Sequence, residues 1–209
     1  MTDFTEYFKG FFVGCSQTIV GHPFDTIKTR IQAGQTIKFN KLYHGVSFPL
    51  ITGCLTNSIM FGSYSYFKQS TDNFVSGFLA GIVITPIMTP IEKSKIDFQV
   101  SSKMALADIQ YSKLFRGFQA TLMRESLSTG IYFSSYYKCK DAEYFSGSGN
   151  VLFSGGIAGM MSWLFTYPID VIKTRIQSGE SGSFYHGYQT GHLYRGLSVC
   201  LVRSFLVNS

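Results

Sequence analysis

The chain has 209 residues and a formal net charge of +6, with 14% charged and 16% aromatic residues. Soluble domains average about 25% charged residues, so a soluble helical protein with solvated outer faces is disfavoured. The basic residues lie at the ends of apolar segments and form no continuous stripe, which disfavours a nucleic-acid partner. Cys15, Cys54, Cys139 and Cys200 lie far apart without metal-binding spacing. We therefore expect neither a metal nor another cofactor.

Three long segments, 45–67, 73–91 and 144–169, contain no Lys, Arg, Asp or Glu. A helix needs roughly 20 predominantly apolar residues to span a bilayer, and each of these segments is long enough. Lys and Arg flank them, as expected at the ends of membrane spans. The sequence therefore predicts an all-α membrane protein.

Six helices are predicted, in chain order, at about 8–33, 46–69, 74–100, 117–140, 150–178 and from 197 onward. The odd-numbered helices share one short sequence phrase that begins with proline. An acid lies two positions after the proline, a lysine five positions after it and a glutamine nine positions after it. Each phrase follows a Gly-xxx-Gly pair and precedes an aromatic-base-Gly step, with His44 as the base in the first copy. This periodicity predicts three two-helix repeats, at 1–70, 71–146 and 147–209.

The repeated phrase predicts a ring of charges. Proline removes a backbone hydrogen bond and kinks a helix, and residues three apart lie on one helix face. Three kinked helices in register would bring each acid close to a lysine of the next repeat, although local pairing on a solvated surface is the alternative. The residues are the prolines Pro23, Pro90 and Pro168, the acids Asp25, Glu92 and Asp170, and the lysines Lys28, Lys95 and Lys173.

These three copies resemble the signature of the mitochondrial carrier family. The resemblance implies a six-helix bundle of three pseudo-symmetric repeats around a central cavity, in a monomeric, multi-pass protein of the mitochondrial inner membrane. It implies transport of a small molecule by alternating access, no enzyme activity, and contact with the lipid bilayer, including cardiolipin on the matrix side. The three acids and three lysines would form the matrix-side gate, braced by Gln32, Gln99 and Gln177.

The same resemblance places the substrate contacts at Thr52, Gly53, Arg124, Glu125 and Arg203. Ionisable residues inside apolar segments are costly and usually face a water-filled pathway, which supports this assignment for the three charged residues. The alternative is that Arg124 pairs with Glu125 or with an odd-numbered helix and touches no substrate. Two further residues have simpler interpretations: Trp163 is predicted to pack in the fifth helix, and His22 to be a polar cavity or kink residue.

The opposite, outer gate departs from the family pattern of an aromatic residue, an acid and a base. Tyr64 and Lys68 remain in the second helix, and Tyr136 and Lys140 in the fourth, but Ser65 and Tyr137 replace the acids. We expect weak closure on this side. Unpaired lysines there would attract anions, although lysines that extend to the membrane interface are the alternative.

The connections after the motif prolines are short, which indicates a compact member of the family and fits a streamlined genome such as that of a large virus. Only 13 residues follow Gly196. A helix of that length rises about 20 Å, less than a ~30 Å hydrocarbon core, so the sixth helix is expected to be incomplete.

Three functions remain open from the sequence. Arg124, Arg203, Lys68 and Lys140 favour exchange of an anion such as a nucleotide or deoxynucleotide, which is the preferred hypothesis. The Arg124–Glu125 pair and local motif similarity favour carnitine or a basic amino acid. The short sixth helix favours a degenerate membrane protein that transports nothing.

Overall fold

The computed structural model describes residues 4–32, 42–43, 46–100, 115, 117–142, 144, 147–178, 194 and 197–208. Within these ranges, the side chains of 24–32, 48, 93–100, 174–175, 177–178 and 199 are outside the description. All regular structure in the described residues is helical. The helices are α1 (Phe4–Gln32), α2 (Ser47–Lys68), α3 (Asn73–Val100), α4 (Phe118–Asp141), α5 (Ser148–Ser178) and α6 (Leu197–Asn208). The six predicted helices are confirmed to within a few residues.

Glycine marks the start of two of these helices. Gly117 has φ 83° immediately before α4, and Gly147 has φ 62° immediately before α5. This left-handed conformation is readily adopted by glycine because it has no Cβ. The glycine of the second aromatic-base-Gly step therefore ends a connection and lets the next helix begin.

The motif prolines lie inside α1, α3 and α5, and each of these helices continues on both sides of its proline. Each proline costs its helix one backbone hydrogen bond. The bend that such a loss produces stays a prediction. The helices do extend far enough past Pro23, Pro90 and Pro168 to present the acid and the lysine of each phrase on one element.

The helices pack in sequential order around a central space. Each helix contacts the next along the chain, and α6 also contacts α1. At this closing contact, Nε2 of Gln17 donates a hydrogen bond to Oδ1 of Asn208 at 3.0 Å. The chain is thus an all-α six-helix bundle, as predicted.

The Gly-xxx-Gly pairs bring the two helices of each repeat into backbone contact. A Cβ on Gly77 would lie 2.6 Å from the carbonyl oxygen of Thr129, and one on Gly81 would lie 2.5 Å from Cα of Ser126. Gly10, Gly14 and Gly155 show the same approach to backbone in the first and third repeats, whereas a Cβ on Gly159 would meet side-chain atoms of Ser204 and Asn208. Small residues allow this contact between membrane helices, whose association depends on close van der Waals packing.

Replacing Gly81 by valine should therefore force α3 away from α4 and destabilise the bundle. Overpacking at a tight contact costs typically 1–3 kcal/mol. The measurement is the thermal unfolding midpoint of the purified protein in detergent. Val83→Ala on the exposed face of the same helix is the control, and an unchanged midpoint for Gly81→Val would contradict the close contact.

The bundle is apolar outside and rich in small polar residues inside. Large apolar side chains such as Phe8, Ile82 and Phe165 are exposed, whereas the largest fully buried side chains are threonines and serines. The hydroxyls of four of them donate to carbonyls one turn back, for example Thr85 to Gly81 at 2.7 Å. By length and composition alone, Asn73–Glu92 of α3 is the one described helical segment suited to crossing a membrane.

Candidate functional site

A cavity of about 250 Å³ lies between the helices near the middle of the bundle. All helices except α6 contribute mid-length residues to its wall, and α6 contributes Ser204 and Asn208 from its second half. Arg124 and Glu125, two predicted substrate contacts, project from α4 into this wall. Methionine, aromatic and hydroxyl side chains complete the lining. The cavity wall is therefore charged where α4 contributes Arg124 and Glu125 and neutral elsewhere.

Arg124 is surrounded by three partners. Its Nη1 atom donates a hydrogen bond to Oε1 of the neighbouring Glu125, and its Nε atom lies 3.4 Å from Oδ1 of Asp170 on α5. The guanidinium also lies over the ring of Trp163, 5.3 Å from its centroid, within the range of a cation–π interaction. Both pairings predicted for Arg124, with Glu125 and with an odd-numbered helix, are therefore present, and contact of Arg124 with a substrate stays a prediction.

Lys173 extends this network to α3. Its ammonium lies 2.5 Å from Oε2 of Glu92 and 3.6 Å from Oε1 of Glu125. Lys173 is only 3% exposed, so the pairing compensates for removal of its charge from water. The described network thus joins three acids and two bases from three helices, and it links the predicted gate directly to the predicted substrate contacts.

The predicted matrix-side ring is only partly within the described side chains. Glu92 and Lys173 come from successive repeats and contact each other, as the ring predicts. The described ion pair of Asp170 is with Arg124. The side chains of the remaining predicted members, Asp25, Lys28, Lys95, Gln32, Gln99 and Gln177, lie outside the described part of the chain.

A second cavity, of about 380 Å³, contains the other predicted substrate contacts. Thr52 and Gly53 of α2 and Arg203 of α6 line it, together with Glu92 and His22. His22 therefore faces a polar cavity, one of its two predicted roles. The two cavities share lining residues from α1, α2, α3 and α6, namely Gln17, Thr56, Met88 and Asn208.

The predicted outer-gate residues surround a third and larger cavity, of about 830 Å³. Tyr64, Lys68, Tyr136 and Lys140 all line it. Neither lysine ammonium has an ion-pair partner in the described residues. The site therefore has a densely paired inner end and an outer end whose two lysines lack such partners.

Sequence reasoning missed two aromatic residues. Trp163 was predicted only to pack, yet it lines the central cavity and contacts the Arg124 guanidinium. Its position seven residues before Asp170 places both on one helix face, a signal that was available. Phe133 is 2% exposed and stacks on Tyr64 with ring centroids 3.7 Å apart. Nothing in the sequence around Phe133, which is rich in aromatic and small polar residues, distinguishes it from its neighbours.

Comparison with known proteins finds relatives over nearly the whole chain. The mitochondrial arginine transporter BAC2 of Arabidopsis thaliana is 29% identical over 257 residues, covering 97% of this chain and 86% of the relative. The mitochondrial basic amino acids transporter of Rattus norvegicus is 29% identical, with 96% and 77% covered. The mitochondrial carnitine/acylcarnitine carrier protein of Macaca fascicularis is 27% identical, with 96% and 88% covered. The matched stretches exceed the chain's 209 residues, so these relatives contain additional residues between matched positions.

A model of the family described as mitochondrial carrier protein matches residues 68–146 and 144–192. These matches together include more than half of the chain. They contain the second and third copies of the proline phrase and all five residues of the described charged network, and the six-helix bundle fits the same family. The chain belongs to the mitochondrial carrier family.

Proposed function

We propose that the protein is a transmembrane solute carrier of the mitochondrial inner membrane that works by alternating access, with its three repeats each spanning the bilayer twice. Three observations support this proposal. The relatives are named as mitochondrial transporters or carriers, the bundle is apolar on its outer face, and cavities lie between its helices. In this proposal, the network of ion pairs around Arg124 and Lys173 is the closed inner side, and the cavity of about 830 Å³ is the open outer side.

We propose further that the substrate is a zwitterion or cation of the amino-acid or carnitine type. The observation that favours this class is that two carboxylates already neutralise Arg124. The described network has three acids for two bases, and Arg203 in the adjoining cavity brings the balance to zero. Among the described side chains a polyanion would find no excess positive charge, whereas a substrate with one carboxylate and one cationic group would find a partner for each.

The contacts suggest how such a substrate would open the inner gate. A substrate carboxylate that bound Arg124 would compete with Asp170, and a substrate cation that bound Glu125 would compete with Lys173. Both displaced residues lie on α5, so substrate binding would loosen the contact of α5 with α3 and α4. A ligand shifts such an equilibrium only through its different affinity for the two states, and replacement of these ion pairs supplies that difference.

Exchange of a nucleotide is the second candidate, and the comparisons do not confirm it. The observation that favours it is the pair of lysines, Lys68 and Lys140, at the outer cavity. Phosphate groups prefer such cationic partners. These lysines could concentrate anions at the entrance, yet the central site behind them has no matching surplus of positive charge in the described residues.

Reconstitution into liposomes tests these candidates directly. Vesicles loaded with arginine, carnitine or ATP are supplied with the same labelled solute outside, and uptake is measured over time. We expect exchange of arginine or carnitine and none of ATP, with Glu125→Gln as an inactive control because it removes the partner of the cation. Exchange of ATP alone would establish the nucleotide candidate, and exchange of no solute would favour a protein that does not transport.

A further inference from the structure

Two amide side chains lie at the junction of the three cavities. Gln17 of α1 and Asn208 of α6 line the central cavity, the cavity that contains Arg203 and the large outer cavity. They are the only described residues that line all three. A solute that moved from the outer cavity to the central one would therefore pass close to these two amides.

Hydrogen bonds fix the orientation of both amides. Nδ2 of Asn208 donates to the carbonyl oxygen of Ser204 at 2.8 Å, and a carbonyl oxygen can only accept. Oδ1 of Asn208 is then the atom that faces Gln17, and Nε2 of Gln17 donates to it at 3.0 Å. The other end of the Gln17 amide, Oε1, accepts no hydrogen bond from the described residues. This oxygen remains available as an acceptor for a solute.

Gln17 and the charged pair of α4 lie on opposite sides of the central cavity. α1 packs against α2 and α6, whereas α4 packs against α3 and α5, and the described residues of α1 and α4 do not contact each other. Gln17 nevertheless lines the same cavity as Arg124 and Glu125. A substrate whose carboxylate and ammonium bound Arg124 and Glu125 would therefore extend its distal end toward Gln17.

A neutral amide oxygen distinguishes between two kinds of cation. A primary ammonium or a guanidinium can donate an N–H to it, whereas a trimethylammonium has no N–H to donate. A site built to hydrogen-bond a substrate group rejects an analogue that lacks this group. We propose that Oε1 of Gln17 binds the distal end of the substrate and selects amino acids whose side chains end in N–H donors, such as lysine and arginine. This inference rests on the proposed transport function.

Competition in liposomes that contain the full chain tests this selection. Lysine and Nε-trimethyllysine have the same charge, and each is added as an inhibitor of labelled arginine uptake. Since a hydrogen bond to a charged group is a strong one, we expect lysine to bind at least about tenfold more tightly. Gln17→Met removes the acceptor at nearly constant side-chain volume and should reduce this preference at least about fivefold. Gln69→Met makes the same change at an exposed residue of the outer cavity and should keep the preference.

Equal inhibition by the two compounds in the unaltered protein would overturn the inference, and this measurement needs no variant. Uptake of carnitine without uptake of arginine would overturn it as well. An unchanged preference in Gln17→Met would assign Gln17 only a structural role, in which it holds α1 to α6 through Asn208, and would also refute the selection. Absence of uptake of every solute would instead overturn the proposed transport function, so the two failures are distinguishable.

Discussion

Replacing Arg124 by alanine should reduce solute exchange in liposomes at least about 100-fold. Truncating one partner of a buried charge pair at a binding site costs roughly 2–5 kcal/mol of binding free energy, and each 1.4 kcal/mol corresponds to a factor of about ten in affinity. Here Glu125 and Asp170 would both lose their contact with the guanidinium. The initial rate of labelled arginine or carnitine uptake measures the effect.

Two matched variants show whether the loss is specific to this site. Arg124→Lys retains the charge but lacks the planar guanidinium that contacts two carboxylates and lies over Trp163, so it should restore little of the rate. Lys138→Ala removes an exposed charge from the same helix and should exchange normally. Circular dichroism in detergent checks that the helices form, and a folded Arg124→Ala protein with an undiminished rate would remove Arg124 from the site.

Replacing Lys173 by methionine should lower the thermal unfolding midpoint by about 6 °C or more. The change leaves Glu92 and Glu125 as buried acids without the base that lies between them. A loss of about 3 kcal/mol corresponds to roughly 6–12 °C in a protein of this size. Methionine preserves most of the side-chain volume, so the effect reports on the charge.

Lys140→Met is the matched control for this prediction, since Lys140 has no ion-pair partner in the described part of the chain. Its midpoint should stay within about 2 °C of the original, as expected for a change away from a buried network. Equal stability of the Lys173→Met and unaltered proteins would show that this ion-pair network does not hold the inner end closed.

The repeated proline phrase and the Gly-xxx-Gly pairs predicted the three odd-numbered helices, and the aromatic-base-Gly steps preceded the three even-numbered ones, because these features recur in each repeat. Close contact of the backbone at Gly81 is possible because glycine has no side chain, and the sequence alone identifies the glycine. The phrase also predicted the contact of Glu92 with Lys173. Local pattern is informative wherever the structure repeats the same unit.

The contacts of Asp170 and Phe133 could not be predicted in this way. Asp170 meets Arg124 because α5 lies against α4 at one particular height, and a motif that repeats in every odd helix contains no information about a residue outside it. Phe133 is one aromatic residue among many in α4. Its role depends on the partner ring of Tyr64, which is 69 residues away in the chain.

The inverted distribution of polarity in the bundle has a consequence for how such a sequence can diverge. A soluble protein keeps a bulky apolar interior and varies its polar surface, whereas here the outer face needs only to remain apolar. Leucine, isoleucine, valine and phenylalanine are interchangeable there at little cost. One added methyl group at a buried threonine or a contact glycine would instead disturb the packing of two helices. Among related proteins, the large apolar residues of the outer face should therefore vary most. The buried threonines and the contact glycines should vary least.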